Sequence, residues 1–275
     1  MLPISILIPN RWTWEAIELT VESVLERTRY DGRLQIIVCD NSHGKGDGNR
    51  IDYLKGMQEL GQLRLVENPA ETTDRAWKSG EKIRYGHGEN IRVLLRECDT
   101  PLAVLLSSGT EIVDPQWLNI LAMRLNPHNK ILGVARLRHA ENHFDTCLSA
   151  YRWVPNWMLL DMVLYRKFGK DEDWDLMRVP YQDYWHKEIF KNTSIPKNPD
   201  PEPLHVFLDT GWRLWERLEY ENPEGYKMAE MPPKFPWRQI RFWGGLDRNS
   251  YRPEHPFVMN QRMQIRKRLE LLRGG

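Results

Sequence analysis

The chain is poor in cysteine, with only Cys39, Cys98 and Cys147 among 275 residues. Their spacing fits no metal-ligand pattern, the count argues against a disulfide scaffold, and a reducing compartment is the simpler reading. Net charge is nearly absent: 39 Lys and Arg against 38 Asp and Glu leave +1 at pH 7, so no global field points to nucleic acid. No apolar run approaches the roughly 20 residues that span a bilayer. Residues 3–9 read as a strand rather than as part of a signal peptide. These features predict a soluble, cytoplasmic protein without a transmembrane segment. Also missing are H-E-x-x-H, C-x-x-C and G-x-S-x-G, with the metal, redox and hydrolase chemistries they carry. Gly44-Lys45-Gly46-Asp47-Gly48 is glycine-rich, but it follows the second strand and has neither the dinucleotide nor the P-loop spacing, so it reads as a flexible connection. There is no internal repeat and no low-complexity segment.

What is present is alternation. Ile4 to Ile8 is an apolar strand ended by Pro9-Asn10, and a helix follows with Ile17, Val21, Val24 and Leu25 on one face. Gln35 to Cys39 is a second strand ending at Asp40-Asn41-Ser42, and a helix then carries Ile51, Leu54 and Met57. Leu63 to Val66 forms a third strand closed by Asn68-Pro69, and residues 70–85 read as loop or short helix. A helix over 90–97, a strand over 101–106, a helix from Pro115 and a strand over 131–135 complete the pattern. Strand–helix alternation of this kind implies an α/β fold with a largely parallel sheet. Beyond it the expectations are a helix over 157–168, a proline-studded loop over 194–203, a strand over 204–208, a helix over 210–220 and a basic helix over 258–273. Many of the 12 Trp lie after residue 150, as stacking surfaces for sugar or base or as ordinary packing.

In a parallel sheet the C-terminal strand ends lie along one edge, where open α/β sheets bind ligands. Three such ends are Pro9-Asn10-Arg11, Asp40-Asn41-Ser42 and Ser107-Ser108-Gly109. Asp40 could accept hydrogen bonds from a nucleobase N–H and Ser42 could donate; alternatively Asp40 is a turn-former. Asp209, between an apolar strand and a helix, suits a general base, against the ordinary role of Asp as helix N-cap.

The order of segments resembles the family 2 glycosyltransferases. "ISILIPN" (Ile4 to Asn10) is similar to that family's opening strand, "TVESVLERT" (Thr20 to Thr28) to its first helix and "QIIVCDNS" (Gln35 to Ser42) to its nucleotide-binding strand. Gly86-His87-Gly88-Glu89-Asn90 resembles its glycine-and-Asn segment. "LLSSGTEIVDPQWL" stands where the family has Asp-x-Asp and a following Pro-x-Trp-Leu. His205 to Leu214 resembles the segment whose acidic residue acts as base, with Gly225-Tyr226-Lys227 as a later element.

The resemblance implies a GT-A-like fold: a Rossmann-like, mostly parallel central sheet flanked by helices, with an irregular aromatic-rich C-terminal part. Residues 1–136 would bind the nucleotide sugar. Residues 137–275 would bind the acceptor and carry the base, as one continuous domain ending in a basic helix. It implies an inverting transfer from a nucleotide-sugar donor, a UDP-sugar foremost. The acceptor could be a glycan, a lipid-linked intermediate, a protein or modified nucleic acid. Donor-binding residues would be Pro9, Asn10, Arg11, Asp40, Asn41, Ser42, Asn90, Ser107, Ser108 and Gly109, and Asp209 would be catalytic.

Departures from the pattern qualify this. Ser107 and Gly109 fill the two aspartate positions, Glu89 stands where a basic residue is common and Arg92 where glycine is. The usual carboxylate grip on Mn²⁺ or Mg²⁺ is missing, so metal dependence should be weak or absent, or should run through non-standard ligands such as Glu111 or Asp114. Lys78, Arg84 and His87 could offset diphosphate charge instead, with Arg75 and Lys82 as further candidates, against a solvated charged loop. Phe235 to Gly245 interleaves aromatics with arginines as a lid, a stacking surface or plain packing, with His255 nearby. The final helix reads as a solvated basic face, with contact to an acidic surface as the lesser alternative. The rival to an enzyme is a non-catalytic nucleotide- or glycan-binding protein that kept the fold without the metal site. A nucleotidyltransferase fits less well, because Pro9-Asn10-Arg11-Trp12 is not a glycine-rich basic loop.

Overall fold

The apolar run at the start of the chain becomes β1 (Ile4–Asn10), buried at every residue. Ile4, Ile6 and Ile8 face one layer and Leu7 the other, the two-residue period of a strand covered on both sides. The computed structural model describes residues 1–10, 13–40, 50–68, 82–83, 86–125, 127–138, 141–144, 147–149, 152–180, 205–208, 210–232, 235, 240–242 and 256–274. After β1 come α1 (Glu15–Arg27), β2 (Leu34–Asp40), α2 (Ile51–Glu59), β3 (Arg64–Glu67) and β4 (Lys82–Ile83). Next are α3 (Gly86–Glu97), β5 (Leu102–Leu105), β6 (Thr110–Ile112) and α4 (Trp117–Ala122). The second half holds β7 (Ile131–Arg138), β8 (Glu141–Phe144), β9 (Cys147–Ser149), β10 (Arg152–Asp161) and α5 (Met162–Phe168). It continues with β11 (Leu176–Pro180), β12 (His205–Leu208), α6 (Trp212–Tyr220), β13 (Lys227–Glu230), β14 (Ile240–Phe242) and α7 (Pro256–Arg273).

Seven strands form the central sheet in the order β13-β7-β10-β5-β1-β2-β3. β10 runs antiparallel to both neighbours and the other pairings are parallel. This is the mixed α/β class expected, a mostly parallel sheet flanked by helices. One apolar layer packs α3, α5 and α6 on the sheet through Leu7, Ile37, Ile91, Leu94, Leu105 and Leu214. The other packs α1, α2 and α4 through Ile17, Val21, Leu54, Val104, Trp117 and Leu118. A second sheet, β4-β11-β12-β9-β8, and the β6–β14 ladder lie outside the central one.

Several expectations are corrected. Residues 157–161, expected to be helical, belong to β10, and the helix begins only at Met162, where Asp161 Oδ1 accepts from the N–H groups of Val163 and Leu164 at 2.9 and 3.0 Å. Residues 157–160 of β10 are all buried, so this apolar run has no alternation to separate strand from helix. Lys82-Ile83 is a strand paired with β11 rather than loop or helix. The third helix starts at Gly86, before the expected Asn90. The described late tryptophans (Trp153, Trp157, Trp174, Trp212 and Trp215) are all buried, so they serve packing rather than an open stacking surface. The basic final helix is amphipathic: Val258, Ile265 and Leu269 pack on Ala16 and Leu19 of α1, while residues such as Met263, Gln264 and Lys267 are exposed. Among the described residues no helix is long and apolar enough to cross a membrane.

Candidate functional site at the strand ends

Parallel pairing puts the ends of β1 and β2 side by side, with Asn10 and Asp40 as register partners. Asn10 Nδ2 donates to Asp40 Oδ1 at 3.2 Å, and Thr13 Oγ1 donates to Asn10 Oδ1 at 2.7 Å. β3 joins through Asn68, whose N–H donates to the Asp40 carbonyl at 2.9 Å. α3 closes the group through Asn90. Its Nδ2 donates to the carbonyls of Asn10 (3.1 Å) and Cys39 (3.3 Å), while its Oδ1 accepts from Asn68 Nδ2 at 2.8 Å and from the Cys39 thiol at 3.6 Å. Two donors and two lone pairs are all engaged, the full capacity of a carboxamide. Asn10, Asp40, Asn68 and Asn90 are all buried, and a polar seam this complete fixes one relative position of three strand ends. Burial, followed by the nearby Asp40 and Glu89 carboxylates, pushes the Cys39 thiol up to about 12, so it sits in the seam as an unreactive neutral group.

The third strand end lies beside the first. β5 pairs with β1, and the Leu106 N–H continues the ladder to the Leu7 carbonyl at 2.9 Å. The chain then turns over Ser107-Ser108-Gly109, closed by the Thr110 N–H on the Ser107 carbonyl at 3.1 Å. Two neighbours hold this turn. The Thr110 N–H also meets Thr20 Oγ1 of α1 at 3.1 Å, and Trp157 Nε1 donates to Thr110 Oγ1 at 3.0 Å. Trp157 sits in an irregularity of β10 with φ 67°. Positive φ is costly for a large side chain, and an irregularity of this kind re-aims a residue across a sheet.

The carboxylates nearest this turn are committed elsewhere. Glu111 is buried and accepts from Arg27 Nη1 at 3.2 Å and from Arg268 Nε and Nη2 at 3.0 and 2.6 Å. Asp114 Oδ1 accepts the Gln116 N–H at 2.8 Å, at the entrance to α4. Among the described residues no group of three or more His, Cys, Asp or Glu is placed to hold a metal ion. The Ser107–Gly109 turn itself supplies hydroxyls and backbone groups but no carboxylate. The departures at positions 89 and 92 turn out to be partners: Arg92 pairs with Glu89 and with Asp175, and its Nε donates to the Asp171 carbonyl at 2.8 Å. Gly88 makes that docking possible, because a Cβ there would lie 2.2 Å from the Trp174 carbonyl oxygen.

Of the sequence candidates, Pro9, Asn10, Asp40, Asn90, Ser107, Ser108 and Gly109 are thus gathered at adjoining strand ends. His87 is half-buried in the first turn of α3. Arg11, Asn41, Ser42, Arg75, Lys78, Arg84, Asp209 and His255 lie outside the described residues, as do most of Phe235 to Gly245 and all of 194–203. Two residues after Asp209, Gly211 adopts φ 91° and is held on both sides: its N–H donates to the Asp173 carbonyl at 3.2 Å and its carbonyl accepts from the Trp153 N–H at 3.3 Å. Asp173 in turn is paired, in the interior, with Arg217 at 2.7 Å.

No family model matches the chain, and no curated protein does. Solved structures with partial likeness include the mannosyltransferase PcManGT of Pyrobaculum calidifontis with GDP-Man and Mn²⁺, at 13% identity and TM-score 0.42, covering 60% of this chain and 46% of that one. GalNAc-T7 with UDP, GalNAc and Mn²⁺ gives 13% identity and TM-score 0.44 over 62% and 37%. Glucosyl-3-phosphoglycerate synthase of Mycobacterium tuberculosis gives 20% and 0.34 over 49% and 43%. The matched region is less than half the length of each of these structures. At such scores the likeness carries no inference about activity.

Sequence reasoning did not single out Asn68, Thr13, Thr110 or Trp157. Asn68 had a signal, because it ends the third strand just before Pro69. Trp157 had none, because its role depends on the β10 irregularity.

Proposed function

We propose that the protein is a glycosyltransferase of GT-A-like architecture that moves a sugar from a nucleotide-sugar donor, a UDP-sugar foremost, to an acceptor hydroxyl with inversion. The observation that carries this reading is the buried Asn10–Asp40–Asn68–Asn90 seam at three adjoining C-terminal strand ends, next to the Ser107–Gly109 turn. A polar group cluster at the C-terminal edge of a parallel sheet is where such folds hold nucleotides.

In this reading the Asp40 carboxylate meets a base N–H, Asn10 lies against the nucleoside, and Asn90 holds the strand ends. The Ser107–Gly109 turn faces the diphosphate with hydroxyls and backbone N–H groups. Asp209 takes the proton of the acceptor hydroxyl as that hydroxyl's oxygen bonds to the anomeric carbon. The bond from that carbon to the phosphate oxygen breaks, and the nucleoside diphosphate leaves as the anion. Lys78, Arg84 and His87 are the cations assigned to its charge, and dependence on a carboxylate-held metal is weak or absent. The acceptor remains one of a glycan, a lipid-linked intermediate, a protein or modified nucleic acid, and the protein acts in the cytoplasm.

Titration with UDP, GDP and their sugars, with EDTA or with Mn²⁺, tests the reading alongside turnover of Asp209→Asn. The expected outcome is donor binding in EDTA and turnover cut by orders of magnitude in the variant with donor affinity kept. Saturable activation by Mn²⁺ from a dead EDTA state would overturn the metal-weak part. Binding without turnover by the unaltered protein would favour the non-catalytic binding protein, for which the absent carboxylates at positions 107 and 109 speak.

A further inference from the structure

The C-terminal helix touches both walls of the strand-end site. Arg262 donates from Nε and Nη2 to the two Glu15 carboxylate oxygens, each at 2.8 Å, and its guanidinium lies 4.1 Å from the centre of the Trp14 ring. Trp14 begins α1 with φ 52° and ψ −140°, a conformation that large side chains avoid, and among the described residues it receives no side-chain cap. Trp14 makes no side-chain cap hydrogen bond there, and Arg262, whose guanidinium only donates, instead fixes the first helical residue through the Glu15 carboxylate from 247 residues away. One residue earlier, Thr13 Oγ1 holds Asn10 Oδ1, and Asn10 holds Asp40. Six residues further along the helix, Arg268 holds Glu111, the second residue of β6, directly after the Ser107–Gly109 turn.

We propose that α7 is a working part of the nucleotide site, with Arg262 and Arg268 as positioning residues that set the β1–α1 loop against the Ser107–Gly109 turn. The inference rests on the nucleotide-sugar reading and adds to it. A nucleoside diphosphate bound between Asn10–Asp40 and that turn spans two walls that α7 bridges in addition to the direct Thr20–Thr110 and Ser23–Ile112 hydrogen bonds of α1 with β6, so its affinity depends in part on the helix being docked. By linkage, nucleotide must then hold the helix in place by the same factor.

The test titrates UDP and GDP, with and without Mn²⁺, against the unaltered protein, Arg262→Gln, Arg262→Lys and Arg268→Gln. Amide hydrogen exchange over 256–273 is read with and without saturating nucleotide. The expected result is a Kd weakened about tenfold in Arg262→Gln and less in Arg262→Lys, which keeps the charge but loses the paired contacts and the stacking. Arg268→Gln should give a smaller loss, because Arg27 also holds Glu111. Nucleotide should slow exchange in α7 of the unaltered protein more than in α5, and lose that effect in Arg262→Gln. A purely structural helix would not show this selective protection. Arg262→Gln binding nucleotide as tightly as the unaltered protein, or exchange in α7 indifferent to nucleotide, overturns the proposal alone. Failure of the unaltered protein to bind either nucleotide overturns the nucleotide-sugar reading, and this proposal with it.

Discussion

Glu15 offers a quantitative test of how α7 is held. Its carboxylate is buried where α1 meets α7. Burial alone would raise its pKa, but the hydrogen bonds from Arg262 and Arg266 outweigh that and carry it from 4.5 down to about 2. At 1.36 kcal/mol per pH unit the difference is a ceiling of about 3 kcal/mol. The Arg266 side chain is 57% exposed, and solvent screening reduces the working figure to about 1–2 kcal/mol. Glu15→Gln removes the charge and keeps the shape. Because the folded pKa is depressed, the stabilisation is complete above the unfolded value near 4.5 and is lost as pH falls towards 2. Urea denaturation should therefore show the variant about 1–2 kcal/mol less stable at pH 7, with the gap more than halved at pH 3. A gap of equal size at both pH values would mean that lost packing, not lost charge, sets the cost. No gap at pH 7 would refute the clasp.

Arg217→Met leaves Asp173 charged in the interior without its partner, and should cost about 3–5 kcal/mol in chemical denaturation; a loss below about 1 kcal/mol would count against that burial. Gly211→Ala forces a Cβ to within 2.1 Å of the Trp153 carbonyl at a φ that favours glycine, so its Tm should fall by several degrees, and an unchanged Tm would contradict the clamped turn. Cys39, with its thiol pushed up to about 12 by burial and its acidic neighbours, should resist alkylation at pH 8 until the protein unfolds. Peptide mapping that finds Cys39 labelled in the folded protein would refute it.

The first half of the fold was legible because its strands and helices obey different periods. Ile4-Ile6-Ile8 against Leu7 and Ile17-Val21-Val24 each present one pattern to one layer. Legibility failed at the β10–α5 junction. Trp157 to Leu160 is an apolar run without alternation that leads into Met162-Val163, and only the capping Asp161 marks where the helix begins. Of the second sheet only β12 was legible: β4, β8, β9 and β11 are short, and the β4–β11, β11–β12 and β9–β12 pairings span long stretches of sequence. Within the site, Asn10 and Asp40 stood out as polar ends of apolar strands. Asn90 stood out through the glycine-and-Asn segment, and its carboxamide bonds the backbone of β1 and β2 together with Asn68 and the Cys39 thiol.

The unusual residues around the site belong to compensating sets. An acid at position 89 and a base at 92 pair with each other, and Asp175 completes the neutralisation of Arg92. Glu111 is buried after a turn without aspartates, and two arginines from two helices hold it. Glu15 and Glu18 are buried acids on α1, and their partners Arg262, Arg266 and Arg273 come from the last 14 residues of the chain, with Arg50 completing the set. A buried acid left unpaired costs several kcal/mol, so none of these residues can drift alone. Four arginines of the last helix thus meet acids of the protein itself, Arg262, Arg266 and Arg273 on α1 and Arg268 on β6. The same argument places constraint on the carboxylate-free turn, because Thr110 and Glu111 are fixed by Thr20, Trp157, Arg27 and Arg268. A turn held from four sides is an organised element of the site.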